Sequence, residues 1–147
     1  MTIRLHHLET SRSSRIIWLC EEAGIAYELL RYSRDPVTRR SPPELGNIHR
    51  LAKAPTVEVD GHVMVESAAI IEYLVEAHSD GRLGVAPGHA DRAKYLEWLH
   101  FAEGTMGMSF IITGIAPLFG GLPEPWNAFL SAEVVKLLGH LEAELTG

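Results

Sequence analysis

The sequence contains a single cysteine, Cys20, among its 147 residues. One thiol cannot form an internal disulfide, so nothing points to a disulfide-stabilised secreted scaffold. The N-terminus lacks the long apolar stretch of a secretory signal, and no apolar run near it is long enough to span a bilayer. We therefore expect a cytoplasmic protein with no membrane partner.

Basic residues are also few, since 13 Lys and Arg stand against 19 Asp and Glu and give a formal net charge of −6. An acidic chain does not attract phosphate backbones broadly, so we expect no nucleic-acid partner. The eight histidines show no HExxH or similar ligand spacing, so we expect no metal site. Cys20 lies on the apolar stripe of a predicted helix and is expected to be a buried core residue.

Hydrophobic periodicity changes its character at a glycine-containing stretch, residues 79–88, which we interpret as a linker. Before it, the patterns predict the order β-α-β, loop, β-β-α, with strands at Thr2–His6, Tyr27–Tyr32 and Thr56–Val59 and a turn at Asp60-Gly61. After it, helical spacing continues without strand alternation, and residues 118–125 separate two predicted helices.

This order, with a proline just before the third strand, indicates an α/β thioredoxin-like domain at residues 1–82. An all-α domain follows at residues 88–147. Thioredoxins carry Cys-x-x-Cys after the first strand, where this chain has Thr10-Ser11-Arg12-Ser13. A dithiol mechanism is therefore excluded for the chain alone.

Several segments, taken in order, resemble the glutathione S-transferases, in particular bacterial and fungal members with a serine-type active site. They are His7–Leu19, Tyr32–Pro36, Pro42–Leu45, Ile48–Val57, Glu66–Leu74 and Tyr95–Gly104. The resemblance implies a thioredoxin-like domain followed by a helical domain, glutathione as co-substrate, a hydrophobic electrophile as second substrate and a homodimer. Because family members continue through further helices, the chain is expected to be truncated in its helical domain.

The resemblance also implies roles for particular residues. Glu66 and Ser67, at a predicted helix start, would bind the zwitterionic γ-glutamyl end of glutathione, where free N–H groups favour an anion. Ala54-Pro55 resembles the family's cis-proline element, and Lys53 would approach the glycyl carboxylate. The alternatives are that Glu66 and Ser67 merely cap the helix and that Lys53 is a solvated lysine.

Three hydroxyls compete for the catalytic role of donating a hydrogen bond to the glutathione sulfur: Ser11, Thr10 and Ser13. Ser11 is preferred, because by resemblance the serine lies four residues before Arg15. Ser11 or Ser13 could instead be only the helix N-cap.

The resemblance implies a glutathione transferase that conjugates glutathione to an electrophilic small molecule, as in detoxification. A glutathione-dependent disulfide reductase or peroxidase, and a non-catalytic glutathione-binding module or inactive fragment, stay open as alternatives. The chain departs from the family at His49-Arg-Leu-Ala-Lys53, where members commonly read His-Pro-Leu-Gly-Lys. Arg50 in place of proline and Ala52 in place of glycine change the rigidity of the loop that leads to Lys53, so the placement of Lys53 stays open.

Overall fold

The computed structural model describes residues 2–146. The chain forms two compact units, Met1–Arg92 and Ala93–Gly147. The segment interpreted as a linker, residues 79–88, belongs to the first unit. The elements of that unit are β1 (Ile3–Leu8), α1 (Ser13–Ala23), β2 (Tyr27–Tyr32), α2 (Glu44–Ile48), β3 (Thr56–Val59), β4 (His62–Val65) and α3 (Ser67–His78).

A four-stranded mixed sheet in the order β2-β1-β3-β4 forms the centre of the first unit. Strands β1 and β2 are parallel, whereas β1–β3 and β3–β4 are antiparallel. Two parallel strands joined by a helix, followed by an antiparallel hairpin and a last helix, make the thioredoxin-like sheet that the sequence predicted.

Alternation along β1 places Ile3 and Leu5 in a core that is completed by the helices on the same face of the sheet. Ile16 and Cys20 contribute from α1, and Ile70 is among the residues contributed by α3. Cys20 is fully buried, as the helical stripe predicted, and burial raises the pKa of its thiol to about 11.

Helix α1 ends at Gly24, whose φ of 70° lies in the left-handed region. The Gly24 amide donates to the Glu21 carbonyl at 3.4 Å, and the Ile25 amide donates to the Cys20 carbonyl at 2.8 Å. This is the usual glycine termination of a helix, and it turns the chain into β2.

His6 ties the other face of the sheet together. It is 1% exposed, and its Nδ1 lies 2.9 Å from the Tyr32 hydroxyl while its Nε2 lies 2.8 Å from Glu58 Oε1. Glu58 also accepts from Arg4 at 2.7 Å. Polar groups of β1, β2 and β3 are thereby paired, which a buried histidine requires.

The second unit corrects the prediction of two helices, since three α-helices and a 3₁₀ turn are found within residues 92–146. They are α4 (Arg92–Glu103), α5 (Thr105–Ile115), the turn Ala116–Phe119 and α6 (Glu124–Thr146). The unpredicted break is at Gly104, between α4 and α5. A Cβ at Gly107 would lie 2.9 Å from the Ala102 carbonyl, so the backbone is tightly packed at this break.

Within the second unit, α4 packs on α6 through Trp98, whose ring stacks on His140 with centroids 5.3 Å apart. Phe101 meets the same His140 ring edge-on at 5.4 Å. Leu130 and Leu137 of α6 are buried, while large apolar side chains such as Phe119 and Trp126 are exposed. The apolar faces of these helices are thus only partly covered.

One segment of the described chain, Arg92–Phe119, is long and apolar enough to cross a membrane. Within it, a stretch of 18 residues has a mean hydropathy of 1.2, and 11% of that stretch is buried. The segment consists of α4, α5 and the 3₁₀ turn. Length and composition alone do not make a membrane span, because helices of soluble proteins meet the same criteria. The expectation of no membrane partner stays a prediction.

Candidate functional site

Sheet register brings the three segments that carry the predicted site residues, namely residues 10–13, 53–55 and 66–67, to one edge of the first unit. His6, near the end of β1, pairs with Thr56 at the start of β3, and Thr56 pairs with Val65 at the end of β4. Residues 10–13, 53–55 and 66–67 lie directly beyond those three strand ends. The N-termini of α1 and α3 also begin at this edge, and their free N–H groups favour an anionic ligand there.

The hydroxyl cluster after β1 differs in exposure from one residue to the next. Ser13 is 0% exposed, Ser11 is half-buried and Thr10 is exposed. The Ser11 and Ser13 hydroxyls lie 2.6 Å apart. A ligand at the surface can therefore reach Ser11 or Thr10, whereas Ser13 lies behind Ser11.

Helix capping accounts for part of the geometry of Ser11. The N-cap position of α1 is Arg12, which makes no side-chain capping bond. Ser11 Oγ accepts the Ser13 amide at 3.2 Å and donates to the Leu8 carbonyl at 2.7 Å. Ser11 thus fixes the first turn of α1, and the residue is half-buried at the helix N-terminus.

His7 also belongs to this cluster, although no sequence pattern marks it as a site residue. Its Nδ1 lies 2.8 Å from Ser13 Oγ. Partial burial lowers the pKa of His7, the facing Arg31 lowers it further, and Glu9 opposes the shift. A polar strand residue six positions before its partner carries no sequence signal, because the contact depends on how α1 packs on β1.

Arg34 holds the loop that carries these hydroxyls. Its guanidinium donates to the backbone carbonyls of Glu9, Thr10 and Arg39 at 3.1, 2.9 and 2.9 Å. Thr10 has a φ of 50°, an uncommon conformation for a β-branched residue. The three charge-assisted bonds help to hold that conformation and therefore the course of the loop into Ser11.

The Ala54–Pro55 peptide bond is cis, in agreement with the resemblance noted above. The Lys53 carbonyl accepts from Thr56 Oγ1 at 2.7 Å, and the Lys53 side chain is exposed, with no hydrogen-bond or ion-pair partner among residues 2–146. Ala52 has a φ of 48°, the left-handed region in which glycine has no Cβ penalty. Ala52 thus adopts a backbone conformation that glycine would favour at this position.

Glu66 and Ser67 form the third locus. Glu66 has φ 75° and ψ 113°, a strained backbone conformation of the kind that often occurs at ligand sites. Ser67 is 1% exposed, and its hydroxyl has no hydrogen-bond partner among the described residues. The N-cap Glu66 makes no side-chain capping bond in the described chain. Helix capping by these side chains therefore does not account for their presence.

The arrangement suits a small anionic thiol peptide. Two helix N-termini, an exposed Lys53 amine and an unpaired Ser67 hydroxyl can bind carboxylates, and Glu66 can accept from an ammonium group. Ser11 can donate to a sulfur. Within residues 2–146, no group of three His, Cys, Asp or Glu side chains is placed to hold a metal ion.

Comparison with known proteins agrees with this geometry. Residues 1–76 match the family model "Glutathione S-transferase, N-terminal domain". Glutathione S-transferase 3 of Schizosaccharomyces pombe is 41% identical over 109 residues, covering 74% of this chain and 44% of the relative. Glutathione S-transferase 1 of Saccharomyces cerevisiae is 28% identical, covering 98% of this chain and 70% of the relative.

Among solved structures, a glutathione S-transferase of Actinobacillus pleuropneumoniae superposes with a TM-score of 0.81 at 30% identity. The superposition covers 99% of this chain and 67% of that one. The chain therefore spans less than half of the fission-yeast relative and about two thirds of the solved structure. A family model that matches more than half of the chain, together with these relatives, shows that the chain belongs to the glutathione S-transferase family.

Proposed function

We propose that this chain binds glutathione at the edge of the first unit where residues 10–13, 53–55 and 66–67 lie. There it would activate the glutathione thiol for conjugation to an electrophilic small molecule. The observation that carries the proposal is Ser67 at the start of α3, a buried hydroxyl that has no hydrogen-bond partner among residues 2–146. An unpaired buried hydroxyl costs about 1–3 kcal/mol, so a ligand acceptor at this position would recover that free energy. The γ-glutamyl carboxylate has the required chemistry.

Lys53 and Ala54 would bind the rest of the tripeptide. Lys53 would pair with the glycyl carboxylate, since its exposed amine has no partner among residues 2–146. The backbone of Ala54, before the cis bond to Pro55, would pair with the cysteinyl part. The Glu66 carboxylate would accept a hydrogen bond from the γ-glutamyl ammonium group.

Ser11 is proposed as the catalytic hydroxyl, because Ser13 is buried behind it and Ser11 lies at the N-terminus of α1. A free thiol has a pKa near 8.5. Lowering it by about two units needs roughly 2.7 kcal/mol of preferential thiolate stabilisation. A hydrogen bond to a charged group supplies about 1.5–3 kcal/mol, and a helix N-terminus adds about 0.3–1 kcal/mol.

In the reaction, the thiolate forms a carbon–sulfur bond to the electrophile. The electron pair of the broken bond leaves with the departing group, or moves into the acceptor when the reaction is an addition. The thiol proton goes to solvent, and in an addition the carbanion formed in the acceptor takes up a proton from solvent. Ser11 keeps its own proton, which would turn from the Leu8 carbonyl, its acceptor in the structure, to the sulfur, so no covalent enzyme intermediate is needed.

Family membership supports further parts of the proposal, namely a homodimer, a cytoplasmic location, a hydrophobic electrophile and a role in detoxification. Sedimentation analysis tests the dimer. An activity panel with an aryl halide, a disulfide and a hydroperoxide tests the reaction class. If the disulfide or the hydroperoxide is turned over and the aryl halide is not, the reductase or peroxidase alternative is favoured.

Replacing Ser11 with alanine tests the catalytic role. Ser11→Ala should raise the pKa of the bound glutathione thiol and lower kcat about tenfold or more, because one charge-assisted bond is lost. Glutathione affinity should change little. Ser14→Ala is the matched control, since Ser14 is an exposed hydroxyl of the same turn that bonds the Ser11 carbonyl. Normal turnover in Ser11→Ala with loss in Thr10→Ala would move the role to Thr10.

A further inference from the structure

A chain of short hydrogen bonds leads from His7 to the proposed catalytic hydroxyl. His7 Nδ1 lies 2.8 Å from Ser13 Oγ, and Ser13 Oγ lies 2.6 Å from Ser11 Oγ. We propose that His7 is a positioning residue that orients and polarises the Ser11 hydroxyl through Ser13. The inference rests on the proposed function, since it assigns how the Ser11 hydroxyl is prepared to donate to the thiolate.

Complete burial of Ser13 restricts where its hydroxyl proton can point. With 0% exposure, it has no solvent acceptor. Three acceptors are within reach, namely His7 Nδ1 at 2.8 Å, Ser11 Oγ at 2.6 Å and the Leu8 carbonyl at 3.3 Å. The protonation of His7 Nδ1 therefore decides the direction of the Ser13 hydroxyl.

When Nδ1 carries a proton, it donates to Ser13 Oγ and is removed as an acceptor. The Ser13 proton then points to Ser11, because the distance of 2.6 Å is shorter than the 3.3 Å to the Leu8 carbonyl. Ser11 Oγ accepts this bond in addition to the Ser13 amide at 3.2 Å. An oxygen that accepts two hydrogen bonds is a stronger donor of its own proton, since bonds in a chain polarise one another.

When Nδ1 is bare, the direction reverses. Ser13 donates to His7, because a bare ring nitrogen can only accept and Ser13 Oγ is the donor beside it, and Ser11 loses the stronger of its two incoming bonds. The proposal thus assigns the Nδ1–H tautomer to His7. His7 acts in its neutral form at neutral pH, because burial and Arg31 lower its pKa against the opposing effect of Glu9. The orientation of the hydroxyls then depends on the tautomer and not on a change of charge near neutral pH.

The tautomer can be measured directly in the unsubstituted protein by ¹⁵N chemical shifts of the histidine rings. Assignment comes from the resonance that disappears in His7→Asn. The expected result is a protonated Nδ1 and a bare Nε2. A bare Nδ1 in the folded protein would overturn the proposal, whatever the kinetics show.

Kinetic variants test the effect on Ser11. His7→Leu removes the ring nitrogen, whereas His7→Asn can place an amide N–H near the position of Nδ1. His7→Leu and Ser13→Ala should each raise the pKa of the bound thiol, read from thiolate absorbance against pH. Each should lower kcat about tenfold, with the glutathione KM within about twofold. His7→Asn should restore most of kcat, and His62→Leu, at an exposed strand position, should change nothing.

Two results separate this inference from the function on which it rests. If Ser11→Ala impairs turnover but His7→Leu and Ser13→Ala do not, the positioning role of His7 is wrong and the proposed function stands. If the protein does not bind glutathione, both fail. If Ser11→Ala turns over normally, the inference fails together with the catalytic role proposed for Ser11. The double variant His7→Leu/Ser13→Ala should be no slower than Ser13→Ala, and additive losses would show that His7 acts by another route.

Discussion

Two buried serines near the ends of α3 provide a test of the glutathione site, because among the described residues the hydroxyl of Ser79 has hydrogen-bond partners and that of Ser67 has none. Ser67 Oγ has no partner in the described part of the chain. Ser79 is equally buried, at 1% exposure, and its hydroxyl is bonded to the carbonyls of Val75 and Arg82, both at 2.6 Å. Removing the two hydroxyls should therefore have opposite effects on stability.

The magnitudes follow from the two environments. Ser67→Ala removes a desolvated hydroxyl with no compensating bond and should raise the free energy of unfolding by about 1 kcal/mol. Ser79→Ala breaks satisfied bonds and leaves buried carbonyls less well paired, so it should lower the free energy of unfolding by about 1–2 kcal/mol. Both residues lie in the first unit, so the unfolding transition of that unit, measured by urea denaturation, reports both changes.

The variant that stabilises the fold should bind glutathione less tightly. Ser67→Ala should raise the Kd for glutathione about tenfold, since a hydrogen bond to a carboxylate is lost. Ser79→Ala should leave it unchanged, and calorimetric titration measures both. Destabilisation by Ser67→Ala comparable with that by Ser79→Ala would refute the idea of an unsatisfied hydroxyl. A stabilised variant with unchanged Kd would show that Ser67 does not contact the ligand.

Three further outcomes are expected. Ala52→Gly should raise the free energy of unfolding by about 0.5 kcal/mol, because relief of the left-handed penalty exceeds the entropy that glycine adds to the unfolded chain; a lower urea midpoint would contradict this. Cys20, with its pKa raised to about 11, should react with a disulfide reagent at pH 8 only after urea unfolding. Bonds from His78 and Tyr73 lower the Asp60 pKa below 3.8, so its contribution to stability is present above that pH and is lost as pH falls through the folded pKa; Asp60→Asn should remove this part of the acid dependence of the urea midpoint.

The parts of the fold that follow from local pattern could be predicted closely. Alternation identified Tyr27–Tyr32 and Thr56–Val59 with the bounds that the structure has. Strand β1 extends past the predicted His6 to Leu8, because Leu8 pairs with Tyr32, a partner that is distant in sequence. The break at Gly104 was missed, since apolar helical spacing continues on both sides of it.

The candidate site was predictable where resemblance supplied the motifs and unpredictable where packing supplies the contact. Glu66, Ser67 and the Ala54-Pro55 bond belong to recognisable segments. His7 and Arg34 also fall within segments that resemble the family, but nothing in the pattern selects them, because a strand histidine and a loop arginine look like ordinary surface residues. Their importance follows from the distances to Ser13 and to the Thr10 carbonyl, which depend on tertiary structure.

The guanidinium of Arg34 donates to main-chain carbonyls of residues 9, 10 and 39, and these acceptors exist whatever side chains stand there. Tolerance to sequence drift should therefore be one-sided. The neighbouring positions can vary without breaking this contact, while lysine at position 34 could not replace a planar fork that serves three acceptors. A library that randomises both sides of the contact would recover arginine at one position and broad variety at the other three.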